Sequence, residues 1–235
     1  MAHIFTVHPD NPQTRTIEQI CTELLAGAIM LYPTDTVYAI GCDLNSKAAV
    51  QRVRQLKQLS NDKPLTFLCP SLSDIARYAQ VTDAAYRTMK RLVPGPFTFL
   101  LPATKLVPRL VQNPKRKSTG IRVPSHTVCQ ALLQVLGNPV ISTSAPLAHS
   151  DSELDPLDSE PLDGNLSQAE LFDRFQKSVD IIVDNGQPPT VKVSTILDLC
   201  QSEPRVLRKG LGWDTVQAVA DVLEPDAMAL QERMG

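Results

Sequence analysis

Residues 28–43, AIMLYPTDTVYAIGCD, join a short apolar run to a polar turn. The run AIMLY at 28–32 predicts a buried strand, because it is apolar throughout and too short for a helix. Helical patterns flank it, with IEQICTELLAG before the run and KAAVQRVRQLK after it. Strands that alternate with helices in this way predict an α/β fold, in which helices cover a sheet.

Capping residues mark the ends of the predicted helices. Thr16 and Gln19 match the pattern of a capping box, which predicts that the first helix starts there. Gly27 predicts the end of that helix, since glycine adopts the left-handed conformation that closes many helices. The pattern Ser-x-x-Glu at 167–170 predicts a second capping box. Single capping residues predict further helix starts at Ser46, Ser71 and Thr82.

The other strands are predicted from short apolar runs between turn residues. They are LTFLC (65–69), FTFLL (97–101), GIRV (120–123), PVIST (139–143), VDIIV (179–183) and the hairpin of VSTILDLC with PRVLR (193–208). Because the last strands follow each other closely, the sheet is predicted to be mixed rather than all parallel. We predict a single α/β domain over residues 1–213, with a polar insertion at 147–166 and a helical tail at 214–235.

Composition places the chain among ordinary globular proteins. Of its 235 residues, 43% are hydrophobic and 20% are charged, and its net charge is −2. A contact with nucleic acid therefore requires a local basic patch. The five cysteines are widely spaced and odd in number, which favours reduced thiols in a cytoplasmic protein over a disulfide framework or a zinc knuckle. We expect neither a signal peptide nor a membrane span, and hence no membrane partner.

Four polar clusters interrupt the apolar pattern: YPTDTVYAIGCD (32–43), KQLSNDKPL (57–65), KRKSTGIRVP (115–124) and ISTSAP (141–146). In the first, Pro33 fixes a turn, after which Thr34, Asp35 and Thr36 can present hydroxyl and carboxylate groups from a strand end. A plain Pro-Asx turn explains the same residues. In the last cluster, hydroxyls and backbone amides can hold an anion, and a capped turn is the alternative.

Arg122 is the cation that most requires a partner, because it lies between apolar residues of a predicted strand. A buried guanidinium pairs with a carboxylate, a phosphate or a substrate, so a binding role and a structural ion pair both stay open. The other cations of the clusters either surround a polyphosphate or are simply solvated; they are Lys57, Lys63, Lys115, Arg116 and Lys117. The sequence has no Walker motif and no G-x-G-x-x-G turn, which disfavours the two common nucleotide-binding folds.

Taken in this order, the clusters resemble the YrdC/TsaC family of threonylcarbamoyl-adenylate synthases, which act in the t6A modification of tRNA. The resemblance runs from about residue 10 to residue 210 and includes PGPFT (94–98), STILDL (194–199) and RVLRKG (205–210). The segment KRKSTGIRVPS, together with the QALLQVLGNPVISTS that follows it, is most similar to the YciO-type branch of the family.

The resemblance implies a twisted open sheet of the YrdC/RibB type, with a basic cavity that binds ATP with Mg²⁺, L-threonine and bicarbonate. Threonine and bicarbonate give a carbamate, which attacks the α-phosphorus of ATP and expels pyrophosphate. By the same resemblance, Lys57 and Arg122 are catalytic, and no protein-bound metal site is expected. The implied threonine-binding residues are Thr34, Thr36, Ser142 and Ser194. The implied nucleotide-binding residues are Lys63, Ser118, Ser144 and Arg208.

Three positions depart from the family pattern. The arginine of the K-x-R pair is Leu59, the histidine that usually follows P-L is replaced at Leu68, and the asparagine of S-A-N is Pro146. The loss of the arginine removes a charge that is able to stabilise the transferring phosphoryl group. These changes leave the fold intact and weaken the expectation of an efficient synthase.

Two other functions therefore remain beside a synthase. The first is a YciO-type protein that binds a nucleotide, tRNA or double-stranded RNA without efficient turnover. The cations available for RNA are Lys105, Arg109, Lys115, Arg116 and Lys117. The second is ATP-dependent adenylation with another amine or carboxylate, since Leu59 and Leu68 make the substrate end more apolar.

Overall fold

The computed structural model describes residues 1–59, 64–145, 167–201 and 203–219. Its strands are β1 (His3–Thr6), β2 (Met30–Tyr32), β3 (Ala39–Gly41), β4 (Thr66–Leu68), β5 (Phe97–Pro102), β6 (Ser118–Arg122), β7 (Val140–Ser144), β8 (Ile181–Asp184), β9 (Thr195–Asp198) and β10 (Arg205–Arg208). Its helices are α1 (Thr14–Leu25), α2 (Lys47–Leu56), α3 (Leu72–Tyr78), α4 (Asp83–Leu92), α5 (Thr127–Leu136), α6 (Gln168–Phe175) and α7 (Trp213–Val219).

The strands form one mixed, open sheet in the order β1-β8-β2-β3-β7-β4-β6-β5-β9-β10. The sheet contains both parallel pairs, such as β4 with β6, and antiparallel pairs, such as β5 with β6. The predicted hairpin at the end of the chain is the antiparallel pair of β9 and β10. The prediction of a single α/β domain with a mixed sheet flanked by helices is confirmed.

Helices cover the two faces of the sheet unequally. On one face, α1 and α5 pack on β1, β8, β2, β3, β7 and β4, through strand residues such as Met30, Val140 and Leu68. On the other face, apolar residues of α2, α3, α4, α6 and α7 form a larger core that extends across β5, β6, β9 and β10. Among the described residues, β6, β5, β9 and β10 contribute nothing to the α1/α5 core. Polar side chains lie on the part of the α1/α5 side that these four strands form.

Several of the predicted helix caps are present. Ser46, Ser71 and Thr82 each accept a hydrogen bond from a backbone N–H three residues later. Ser167 and Glu170 form the predicted capping box of α6. The predicted box at Thr16 is wrong, because α1 already begins at Thr14. Its N-cap is Gln13, whose side chain makes no capping hydrogen bond, and Thr16 lies inside the first turn.

Two strands were not predicted, and some predictions lie outside the described residues. β1 at the edge and the three-residue β3 each gain their structure from a neighbouring strand. Lys63, Pro146, the segment 147–166 and the tail after 219 fall outside the described ranges. In the part of the chain that is described, no helix is long and apolar enough to cross a membrane.

Candidate functional site

The polar residues of β7, β4, β6, β5 and β9 share one face of the sheet. Phe99 and Ile121 pair across β5 and β6 and point into the larger core, so their neighbours along each strand point to the opposite side. One row of paired residues on that side is Ser142, Thr66, Gly120, Leu100 and Asp198. A Cβ on Gly120 would lie 2.5 Å from Thr66 Oγ1, so a larger residue would displace the Thr66 side chain. We call this surface the polar face.

The turn between β2 and β3 brings two threonines to Arg122 at the end of β6. Arg122 Nη1 donates to Thr36 Oγ1 over 2.8 Å, and the hydroxyls of Thr34 and Thr36 are 3.0 Å apart. Thr34 Oγ1 also donates to the Val37 carbonyl at 2.7 Å and accepts from the Thr36 amide at 3.0 Å. The sequence-predicted residues Thr34, Thr36 and Arg122 therefore form one hydrogen-bonded group.

Asp35 is the ion-pair partner of Arg122. Its carboxylate accepts from Arg122 Nη2, and its second oxygen accepts from both the amide and the hydroxyl of Ser125, each at 3.0 Å. The two side chains are only 6% and 11% exposed, so the charges compensate each other out of water. The alternatives of an ion pair and a binding role for Arg122 are thus not exclusive, because the same guanidinium also contacts Thr36.

Two nitrogens beside this ion pair are buried without a hydrogen-bond partner among the described residues. They are Arg122 Nε and His126 Nδ1. Burial lowers the pKa of the His126 imidazole, an effect that Asp35 opposes and Arg122 reinforces. His126 is the N-cap residue of α5, and its side chain makes no capping hydrogen bond. A buried donor or acceptor without a partner is uncommon in native proteins and calls for a specific explanation, of which a bound water or ion and a catalytic role are two.

A second hydroxyl group lies beside Arg122. Extending the pairing of Phe99 with Ile121 by one residue places Thr98 opposite Arg122. Thr98 Oγ1 lies 2.9 Å from Ser194 Oγ. Arg208 holds Ser194 by donating from Nη2 to its hydroxyl and from Nε to its carbonyl, both at 3.0 Å. The predicted residues Ser194 and Arg208 are thereby joined to the Arg122 end of the polar face.

Lys57 is the C-cap residue of α2 and donates from Nζ to the Ser144 carbonyl over 2.9 Å. Burial, reinforced by the positive charge of Arg174, lowers the pKa of the Lys57 ammonium to about 8. Ser144 ends β7, the strand that carries Ser142. Lys57 therefore reaches the end of the strand that forms one side of the polar face.

The remaining predicted residues lie at the start of β6 or in the segment just before it. Ser118 is buried at the start of β6, at the opposite end of that strand from Arg122. Lys115 and Lys117 are exposed. Arg116 forms an ion pair with the buried Asp198 of β9 at 3.1 Å, so the charge of its guanidinium is compensated there.

Sequence reasoning missed Thr98, Ser125 and His126 as parts of the site, and it did not identify Asp35 as the partner of Arg122. Thr98 was counted as part of the apolar strand FTFLL and of the family mark PGPFT and was given no role of its own, although alternation along that strand separates it from Phe97 and Phe99. Ser125 and His126 follow directly on GIRVP, so their position after the strand that carries Arg122 was the available signal.

Comparison with known proteins identifies the family. The sequence profile named Sua5/YciO/YrdC, described as "Telomere recombination", matches residues 22–210. The chain belongs to the Sua5/YciO/YrdC family. It is 40% identical to the uncharacterized protein YciO of Escherichia coli strain K12 over 216 residues, which are 90% of this chain and 97% of that protein. It is 30% identical to threonylcarbamoyl-AMP synthase of Homo sapiens over 213 residues, or 88% of this chain and 71% of the human protein.

Solved structures of the Sua5/YciO/YrdC family have the same fold. The crystal structure of E. coli YciO superposes with a TM-score of 0.78 and covers 90% of this chain and 97% of that one. The crystal structure of P. abyssi Sua5 complexed with L-threonine has a TM-score of 0.77 at 23% identity, and covers 94% of this chain and 63% of the Sua5 chain. The expected family, its YciO branch and the expected fold are confirmed.

Proposed function

We propose that the polar face binds ATP and L-threonine, and that the chain uses them with bicarbonate to make L-threonylcarbamoyl-adenylate for tRNA modification. The observation that carries the proposal is the grouping of Thr36, Arg122, Thr98, Ser194 and Arg208 at one end of this face. A zwitterionic amino acid fits such a group, because it offers a carboxylate to the guanidinium and hydrogen-bond donors to the hydroxyls. The human relative is named a threonylcarbamoyl-AMP synthase, and P. abyssi Sua5 was crystallised with L-threonine.

In this reaction a carbamate oxygen attacks the α-phosphorus of ATP, and pyrophosphate leaves. Two anions must approach each other, so the protein has to place cations and hydrogen-bond donors around them. Lys57 at the end of β7 and Arg208 beside Ser194 supply cations at two sides of the polar face. In the proposed site Arg122 holds the threonine end, and Mg²⁺ arrives with the triphosphate.

The side chain of Leu59 sets an upper limit on the rate we expect. It is partly buried against the larger core, so the position where the family pattern has an arginine carries no charge. A missing contact to a developing charge typically lowers turnover by about a hundredfold. We therefore propose a slow synthase.

All five cysteines are free thiols, as expected for a protein that works in the reducing cytoplasm.

Binding of RNA is the second candidate, and the distribution of charge favours it. Residues 75–117 contain nine lysines and arginines but only one acidic residue, Asp83, in a chain whose net charge is −2. All nine cations are on exposed residues. Exposed cations that are concentrated in one stretch of a slightly acidic chain can attract a polyanion, and tRNA or double-stranded RNA is the corresponding partner.

An assay of product formation tests the first function against the second. The protein is incubated with ATP, Mg²⁺, bicarbonate and labelled L-threonine, and both pyrophosphate and the adenylate are followed by chromatography. We expect both products, and a loss of at least about tenfold for Lys57→Ala and Arg122→Lys. The matched controls are Lys47→Ala and Arg205→Ala, which change exposed cations of α2 and β10.

The outcomes of this assay are distinct. Adenylate formation that survives Lys57→Ala and Arg122→Lys would contradict the proposed site. No pyrophosphate release, combined with RNA binding that weakens steeply as salt is raised, would replace the synthase by the second candidate. In that case Lys115→Glu with Lys117→Glu is expected to weaken RNA binding, because both side chains are exposed.

A further inference from the structure

The hydroxyl protons around Thr36 can be assigned from the hydrogen-bond partners alone. A threonine hydroxyl has one proton to donate and two lone pairs that accept. Thr34 Oγ1 contacts the carbonyl of Val37 at 2.7 Å. Because a carbonyl only accepts, the Thr34 hydroxyl donates its proton to this hydrogen bond. The 3.0 Å contact between the two hydroxyls is then donated by Thr36.

The lone pairs follow from the same contacts. Thr34 Oγ1 accepts from the Thr36 amide and from the Thr36 hydroxyl, so both of its lone pairs are used. Thr36 Oγ1 accepts from Arg122 Nη1 at 2.8 Å, which leaves one lone pair and no proton. Thr36 is therefore only an acceptor toward any further group. The Asp35 carboxylate beside it is also only an acceptor when ionised.

The hydroxyls on the other side of Arg122 have the opposite property. Thr98 and Ser194 share one hydrogen bond of 2.9 Å, for which one of their two protons suffices. Ser194 Oγ also accepts from Arg208 Nη2, which uses no hydroxyl proton. One proton of this pair has no acceptor among the described residues. The Thr98–Ser194 pair can therefore donate to a ligand, whereas Thr36 cannot.

We infer that the ligand group that faces Thr36 is a hydrogen-bond donor, an amine or a hydroxyl. Thr34 imposes this by accepting the hydrogen bond that the Thr36 hydroxyl donates. This inference rests on the proposed function for the identity of the ligand, and it makes Thr34 a positioning residue rather than a ligand contact. A carboxylate or phosphate oxygen directed at Thr36 would meet a lone pair and be repelled. L-Threonine carries two suitable donors, its amino group and its hydroxyl.

Ligand analogues combined with substitutions at Thr34 test the inference. O-Methyl-L-threonine lacks the hydroxyl proton, and 3-hydroxybutanoate lacks the amino group. Binding of L-threonine and of both analogues is measured by calorimetry for the wild type, for Thr34→Val and for the control Thr34→Ser, which keeps the hydroxyl. In the wild type we expect one analogue to bind at least about tenfold more weakly than L-threonine, which identifies the donor.

The decisive result is how Thr34→Val changes the penalty, which is the loss of affinity when the analogue without the donor replaces L-threonine. The valine releases the Thr36 proton, so we expect weaker binding of L-threonine and a penalty for the analogue that shrinks to about threefold or less. Thr34→Ser should behave like the wild type. A general loosening of the loop would weaken all three ligands equally and leave the penalty unchanged, which would overturn the inference. Tighter binding of L-threonine by Thr34→Val would overturn it as well.

A measurement without ligand separates this inference from the proposed function. Neutron diffraction from the deuterated protein locates the hydroxyl deuterons directly. We expect the deuteron of Thr36 to point at Thr34 Oγ1 and that of Thr34 to point at the Val37 carbonyl. The reverse directions would overturn the inference. If these directions are found but the wild type does not bind L-threonine, the proposed function fails and the site takes a different donor.

Discussion

Lys57 holds a positive charge in a partly buried position. Its Nζ donates to the Ser144 carbonyl, while burial and the nearby Arg174 lower its pKa to about 8. In the unfolded chain the ammonium keeps its proton up to its ordinary pKa of about 10.4. Lys57 therefore makes the folded state less stable below pH 8, and this cost is relieved as the pH rises from about 8 toward 10.4.

The same titration predicts a pH dependence of nucleotide binding. If the Lys57 ammonium contacts the phosphates, affinity for ATP should fall as the pH rises through about 8, where the free protein loses this proton. The fall is at most about tenfold for each pH unit, because one proton is involved. Calorimetric titrations between pH 7 and pH 9.5 measure it.

Lys57→Arg is the matched control, since arginine stays protonated over this range. The pH dependence should disappear in this variant. An equal fall of affinity in the wild type and in Lys57→Arg would show that another group titrates and that Lys57 is not a phosphate contact.

At the scale of the elements, the two predicted capping boxes had different outcomes. Ser167 accepts from the backbone amide of Glu170, and the Glu170 carboxylate accepts from Ser167 in return. Thr16 has the same local pattern but lies in the first turn of α1, after a start at Thr14. A capping pattern alone therefore does not determine the residue at which a helix begins, because the helix can start earlier in the chain.

This difference can be measured as stability. Ser167→Ala should lower the free energy of unfolding by about 1 kcal/mol, because the amide of Glu170 loses its acceptor. Thr16→Ala should change it by less than about 0.5 kcal/mol, since alanine favours a helix interior and no cap is lost. Urea denaturation of both variants provides the values. An equal loss for the two variants would restore Thr16 as a cap.

Sequence patterns predicted most elements but not the partners in the site. Short apolar runs identified β2, β4 and β5, since each is buried along its whole length or nearly so. β1 was missed because it is a four-residue edge strand that depends on its pairing with β8. The need of Arg122 for a partner was predictable from its apolar flanks. That the partner is Asp35, 87 residues away, depends on how the β2–β3 turn packs against the start of α5.

Across the whole molecule, the unequal cover of the sheet explains where the site lies. α1 and α5 pack over one half of their face, and the polar residues occupy the other half. The larger core behind β5 and β6 supports these strands from the opposite side, so their polar side chains are held on a fixed base. The basic stretch 75–117 runs from α3 through α4 to the segment that leads into β6. The cations of α3 and α4 lie on the side of the larger core, whereas Lys115, Arg116 and Lys117 lead directly into β6, which carries Arg122.

Mapping of ligand contacts by NMR tests most directly whether the polar face binds the proposed substrates. The ¹⁵N-labelled protein is titrated with L-threonine and a non-hydrolysable ATP analogue, and amide shifts are followed along the chain. We predict shifts at residues 34–37, at Thr98, at 120–122 and at Ser194, with saturation at millimolar ligand or below. Shifts confined to the surface of α1 or α4, or no shift with either ligand, would contradict this placement of the site.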